Sequence, residues 1–239
     1  MVCRVKDLSL SVRKKEILHN INLDIEEGKV YGLVGNNGAG KTTLLKVMAG
    51  LVRVHEGAVF FEKSDTKVGY DIGDYTEIEG ISGKNLLIYY AKLCGCYTPE
   101  YIDELLENIG LTEHANKRVE KYSAGMKQRL FFAIAVLNNP DLLILDEPTS
   151  GTDYAANIRI KEMISQIMSE HKTSVIISNH DMEDLYEVSD FFLFIQNGEI
   201  VSQISKKELL ERESIAVDAE YAHVKDIFTQ FIIEGDTKI

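Results

Sequence analysis

The sequence predicts an α/β protein built on a mostly parallel sheet with helices on both faces. Three observations carry that expectation. Strand-like apolar runs alternate with helical periodicities towards both ends of the chain. A glycine-rich loop joins one such strand directly to a helix. An all-helical stretch from about Asp71 to Leu137 then interrupts the alternation.

Taken in order, Val2 to Leu8 and Ile17 to Ile25 read as strands, the second with Ile17, Ile21, Leu23 and Ile25 spaced for burial. Gly28 marks a turn before the short apolar run Lys29 to Val34. After the glycine-rich loop, Thr42 to Ala49 has a helical pattern through Leu44, Leu45, Val47 and Met48, and Gly50 stops it. Gly57 to Phe61 and Val68 to Tyr70 read as strands. Helices are expected at Asn85 to Leu93, Glu100 to Ile109 and Ala124 to Leu137, with Pro99 suited to a first helical turn. The alternation resumes with strand Leu142 to Leu145, helix Tyr154 to Met168, and strands Ser174 to Ser178 and Phe191 to Gln196. Asn197-Gly198 signals a hairpin into a last strand, Glu199 to Ile204. The tail from Lys206 is more polar, with a weak amphipathic stretch around Val224, Ile227, Phe228 and Phe231.

Bulk properties narrow the function classes. A chain of 239 residues with 45% apolar and 27% charged residues suits one large globular domain. No apolar run approaches the roughly 18 residues of a membrane helix, and the N-terminus does not read as a secretory signal. The net charge of −12 argues against a broad nucleic-acid surface. Three cysteines without a framework imply a reducing compartment, and Cys94-Gly95-Cys96 lacks the second ligand pair of a metal site. These features suggest a cytoplasmic protein.

Gly35-Asn36-Asn37-Gly38-Ala39-Gly40-Lys41-Thr42 matches the phosphate-loop pattern G-x4-G-K-[ST], with the strand before it and the helix after it that the motif requires. Glycines let successive N–H groups converge on phosphate oxygens, and the helix start adds partial positive charge. Lys41 would reach the β- and γ-phosphates, the Thr42 hydroxyl would ligate Mg²⁺, and Thr43 would add a phosphate hydrogen bond. The loop alone leaves a kinase, a GTPase and a transport ATPase open. Further on, an apolar strand ends in Asp146-Glu147. Strand alternation turns the two acids opposite ways, giving Asp146 a Mg²⁺-binding task and Glu147 that of general base for water. A base for water favours hydrolysis over kinase chemistry. His180 follows another apolar strand, where it would sense a γ-phosphate. Asn116-Lys117-Arg118-Val119 lacks the acid of a GTPase base-reading motif, which discounts a GTPase.

Tyr122-Ser123-Ala124-Gly125-Met126-Lys127-Gln128-Arg129 resembles the signature motif of ABC ATPases. With the phosphate loop, Asp146-Glu147-Pro148-Thr149-Ser150-Gly151-Thr152-Asp153 and His180 it stands in that family's order, over residues 2 to 205. Together with Ser82-Gly83-Lys84-Asn85-Leu86-Leu87, the motif is similar to the bacterial exporter group that includes bacitracin and lantibiotic transporters. The resemblance implies a P-loop NTPase (RecA-like) core at 1–72 and 138–205 with an antiparallel β subdomain, a helical subdomain at 73–137 and a tail at 206–239. It also implies ATP hydrolysis with Mg²⁺, a separate membrane permease as partner, location on the inner face of the membrane, and paired ATPase subunits. Ser123 on its own reads as a helix N-cap; the family assigns Ser123 and Gly125 to the γ-phosphate held by a second subunit. Three positions depart from the family's pattern. Val12 stands where an aromatic residue often stacks on adenine, Gly73 where a Gln or Glu is usual (with Asp74 beside it), and Thr152 where Leu is common. A soluble ABC ATPase acting on ribosomes or DNA, or a module that binds ATP without efficient turnover, are the competing functions.

Overall fold

The structure, a computed structural model, describes residues 1–13, 15–71, 73, 78–149, 154–179 and 182–212. The chain opens with β1 (Cys3–Val12) and β2 (Lys15–Ile25), continues through β3 (Val30–Val34) into α1 (Lys41–Met48), and returns through β4 (Glu56–Phe61) and β5 (Val68–Asp71). Helices α2 (Gly83–Leu93), α3 (Pro99–Asn108) and α4 (Ala124–Val136) follow. Then come β6 (Leu142–Asp146), α5 (Tyr154–His171), β7 (Ser174–Ser178), α6 (Met182–Val188), β8 (Phe191–Gln196), β9 (Glu199–Ser205) and α7 (Lys206–Arg212).

The described strands form two sheets. One is antiparallel, in the order β2-β1-β4; the other runs β5-β6-β7-β3-β8-β9, parallel except for β9. This is the expected α/β architecture. Strand alternation explains how the large sheet is covered on both sides. Leu143, Leu145, Val175, Ile177, Phe192 and Phe194 enter one apolar core together with Leu86, Ile102, Leu106, Leu130 and Phe132 of the helical stretch. Their neighbours Leu142, Ile144, Ile176, Leu193 and Ile195 enter a second core with α1 and the antiparallel sheet. The helical stretch therefore has no separate core; it shares one with the sheet face below it.

Close approaches fix this packing. A Cβ at Gly69 of β5 would lie 2.0 Å from the carbonyl oxygen of Ala135, so α4 meets the sheet backbone to backbone. At the hairpin, Asn197 and Gly198 have φ of 47° and 84°, the pair of positive values that a type I′ turn needs. The Gly198 N–H donates to the Ala39 carbonyl at 2.9 Å, tying that turn to the phosphate loop.

The structure adds two helices and corrects one expectation. α6 and α7 were not anticipated: each is seven residues long, too short for a helical periodicity to stand out. The amphipathic stretch around Val224 to Phe231 lies outside the described residues. Glu147 is also not the next residue of an alternating strand. β6 ends at Asp146, and Glu147 adopts φ 53°, so the two acids diverge through a backbone turn and not through the pleat.

Candidate active site

β3 is wholly buried between β7 and β8, so its carboxyl end opens at the middle of the sheet, where ligands of open α/β sheets bind. The loop that follows is shaped by glycine. Gly38 and Gly40 have φ of 82° and 109°, and Gly40 is the left-handed N-cap of α1. A Cβ at Gly35 would lie 2.4 Å from the Ile195 carbonyl oxygen, so only glycine lets the loop leave the sheet there. No side chain caps α1, which leaves its first N–H groups for an anion.

Lys41 begins that helix and is buried, with its ammonium donating to the carbonyls of Gly35 at 2.6 Å and Asn36 at 3.3 Å. Burial pushes its pKa below the ordinary lysine value, and the Glu147 and Asp146 carboxylates oppose that fall. The loop's cation and both acids thus stand at the carboxyl ends of β3 and β6, parallel strands of one sheet with only β7 between them. Thr42 is exposed on the same turn and Thr43 half-buried.

The acids are held from β7. Ser178, paired with Asp146 in the sheet register, donates its hydroxyl to Asp146 Oδ1 at 2.5 Å. The Glu147 N–H is shared between the Ser178 carbonyl and hydroxyl, each at 3.1 Å. From the other side, Gln128 of α4, only 4% exposed, donates from Nε2 to the Glu147 carbonyl at 3.1 Å. These bonds secure a left-handed backbone that costs a non-glycine residue about 1–2 kcal/mol. No group of three or more metal-ligating side chains occurs among the described residues. One hydroxyl and one carboxylate, Thr42 and Asp146, are a sparse donor set that suits Mg²⁺, which keeps its waters and takes phosphate oxygens.

Ser123 is exposed at the N-terminus of α4, where its Oγ accepts the Met126 N–H at 3.3 Å; the N-cap expected for it is present. Gly125 lies in the first turn of that helix. The preceding Tyr122 is anchored by its hydroxyl to the His114 carbonyl at 2.8 Å. Val12 is 49% exposed at the end of β1. Gly73 has φ 71°, a conformation that explains glycine at this place, and a Cβ there would approach the Asp146 carbonyl oxygen at 3.7 Å. His180, Asp74 and Ser150 to Asp153 lie outside the described residues.

Sequence reasoning missed a polar cluster below the acids. Asp184 of α6 accepts from Lys161 at 2.5 Å, from Asn157 at 2.9 Å, and from Asn179 and Thr149 at 3.3 Å each; Asn179 also donates to Thr149 at 2.8 Å. The loop after Glu147, the end of β7, α5 and α6 meet on this one carboxylate. Ser178 and Gln128 were missed as well. For Gln128 a signal existed, because it heads the stripe Gln128, Phe132, Ala135 and Val136 that α4 buries.

Residues 18–150 match the ABC transporter family. The chain is 36% identical over 204 residues to the lantibiotic transport ATP-binding protein SrtF of Streptococcus pyogenes, spanning 83% of this chain and 88% of that one. It is 31% identical over 220 residues to the bacitracin transport ATP-binding protein BcrA of Bacillus licheniformis, spanning 88% and 72%. Among solved structures, an ATP-binding cassette in a dimeric post-hydrolysis state bound to ADP and Pi aligns with TM-score 0.76. That alignment spans 85% of this chain and 98% of the other at 22% identity, a likeness of fold.

Proposed function

The chain belongs to the ABC transporter family as an ATP-binding, ATP-hydrolysing subunit, and on that premise we propose how its residues divide the work. The observation that carries the proposal is the placement of Lys41 and of Asp146 and Glu147 at the carboxyl ends of β3 and β6, parallel strands of one sheet separated only by β7. Gly35 to Gly40 cradle the ATP phosphates with backbone N–H groups, and Thr43 adds a hydroxyl. Lys41 swings from the Gly35 and Asn36 carbonyls onto the β- and γ-phosphates, exchanging two neutral acceptors for charged ones. Thr42 and Asp146 would hold Mg²⁺, which would supply positive charge against the phosphates. Ser178 orients the Asp146 carboxylate. Glu147 takes the proton of the water that attacks the γ-phosphorus as the bond to the β–γ bridging oxygen breaks, and His180 contacts the γ-phosphate.

Ser123 and Gly125, exposed or half-buried at the α4 N-terminus, complete the site of a second ATPase subunit. The fold likeness to a dimeric cassette supports that pairing. No helix among the described residues is long and apolar enough to cross a membrane; the relatives named as transport ATP-binding proteins support a membrane permease as partner and a place at the membrane's inner face. The named relatives serve bacitracin and lantibiotic transport, and the signature variant at Tyr122 to Arg129 favours export. The test is to purify the tagged chain from detergent-solubilised membranes. An integral membrane protein in the complex that raises the ATP turnover of the isolated chain is the expected result. Equal turnover with and without membrane components would refute the coupling.

A further inference from the structure

Helix α4 joins an exposed end to a buried contact with the active site. Its N-terminus, capped by Ser123, lies at the surface, while Gln128, five residues on, is buried against the Glu147 carbonyl. Five residues of helix span about 7.5 Å. The first turns of α4 are tied to the helical stretch, where Arg129 donates from Nη1 to the Ile109 carbonyl at 2.8 Å and Tyr122 donates to the His114 carbonyl, while its last turns pack on β5 at Gly69. Its N-terminal half is therefore the part that senses the helical stretch and the surface, and its C-terminal half is fixed to the sheet.

Glu147, by contrast, is suspended between two elements. Its N–H is held by Ser178 of β7 and its carbonyl by Gln128 of α4. Its φ of 53° is a value that a glutamate adopts only when its surroundings impose it. A change in α4 relative to β7 shifts one of these two anchors while the other stays with the sheet. The carboxylate direction depends on the backbone between them.

We propose that Gln128 is a positioning residue for hydrolysis, which sets the Glu147 backbone and links the α4 N-terminus of a subunit to the base of that same subunit. The proposal rests on the reading of Glu147 as general base. In the paired arrangement, contact of a second subunit's nucleotide with Ser123 is passed along α4 to Glu147, so each site's base responds to the occupancy of the other site.

The test compares Gln128→Met, which keeps length and removes the donor, with Gln128→Glu and with Glu147→Gln, all measured on the full chain with Mg-ATP. Gln128→Met lowers kcat about tenfold to a hundredfold, the size of effect that follows displacement of a catalytic group by about 1 Å. KM for ATP stays near the wild-type value, and the melting temperature falls by no more than about 12 °C, the cost of one unmet carbonyl. Gln128→Glu regains turnover relative to wild type as pH falls, because only a protonated carboxyl donates to the Glu147 carbonyl. Wild-type kcat in Gln128→Met, or a parallel loss of ATP affinity and kcat, overturns the proposal. So does a Gln128→Glu variant whose relative rate is flat with pH. If Glu147→Gln itself turns over normally, the base assignment has failed instead.

Discussion

Asp184 is the residue whose removal should cost the fold most among the polar groups near the active site. Its side chain is 15% exposed, and it accepts from one ammonium and three neutral donors. In Asp184→Ala, Lys161 keeps Glu187 at 2.5 Å, so its charge stays partly paired. Asn179 keeps Thr149 as acceptor. Asn157 loses the acceptor for its Nδ2 and already has an Oδ1 that is buried without a partner. One stranded amide costs about 1–3 kcal/mol and the weakened charged bond about 1–2 kcal/mol, for a total near 3 kcal/mol. For a chain of this size that lowers Tm by roughly 6–12 °C. Thermal and urea unfolding measure it, and a cycle with Lys161→Met should return a coupling of about 1–2 kcal/mol. The pH dependence has a definite sign. Burial raises the Asp184 pKa, but the Lys161 and Asn157 hydrogen bonds and the Lys161 charge outweigh it and hold it below the usual carboxylate value. Its contribution is therefore complete above about pH 4 and is lost as pH falls through the folded-state pKa. A loss under about 0.5 kcal/mol in Asp184→Ala would refute the reasoning. So would a gap between wild type and Asp184→Asn that persists unchanged into acid.

Two further predictions separate binding from folding. Lys41→Met should weaken ATP binding about a hundredfold in calorimetry, the loss of about 3 kcal/mol of charge-assisted bonding. The same variant should leave the ligand-free protein within about 1 kcal/mol of wild type, because a desolvated cation on two carbonyls adds little to the fold. Gly69→Ala should cost about 2–3 kcal/mol in urea unfolding, since its Cβ would stand 2.0 Å from a backbone oxygen that cannot move aside. Gly95→Ala, with φ 72° and open space around it, should cost only about 1 kcal/mol.

The features legible in the sequence were those written locally. β7 and β8 were anticipated to the residue because short β-branched and aromatic runs between polar turns admit few alternatives. The phosphate loop was legible because its glycines answer a local backbone demand, which Gly35, Gly38 and Gly40 meet in the structure. What was not legible depends on contacts across the chain. The four donors to Asp184 come from positions 149, 157, 161 and 179, and nothing in their spacing brings them together. Gln128 is 19 residues from Glu147, and its motif letter hides that it points inward. Glu147 misled for a different reason. Alternation assumes that the strand continues, whereas here it ends one residue earlier in a left-handed turn.

The central claim is that this site hydrolyses ATP with Glu147 as base, and phosphate release at saturating Mg-ATP tests it most directly when paired with ATP binding on the same samples. Glu147→Gln should bind ATP as tightly as wild type and lose turnover by about a hundredfold or more, the scale of a general-base contribution. Chelation of Mg²⁺ should silence the wild type without lowering its melting temperature. Wild-type turnover in Glu147→Gln would contradict the account.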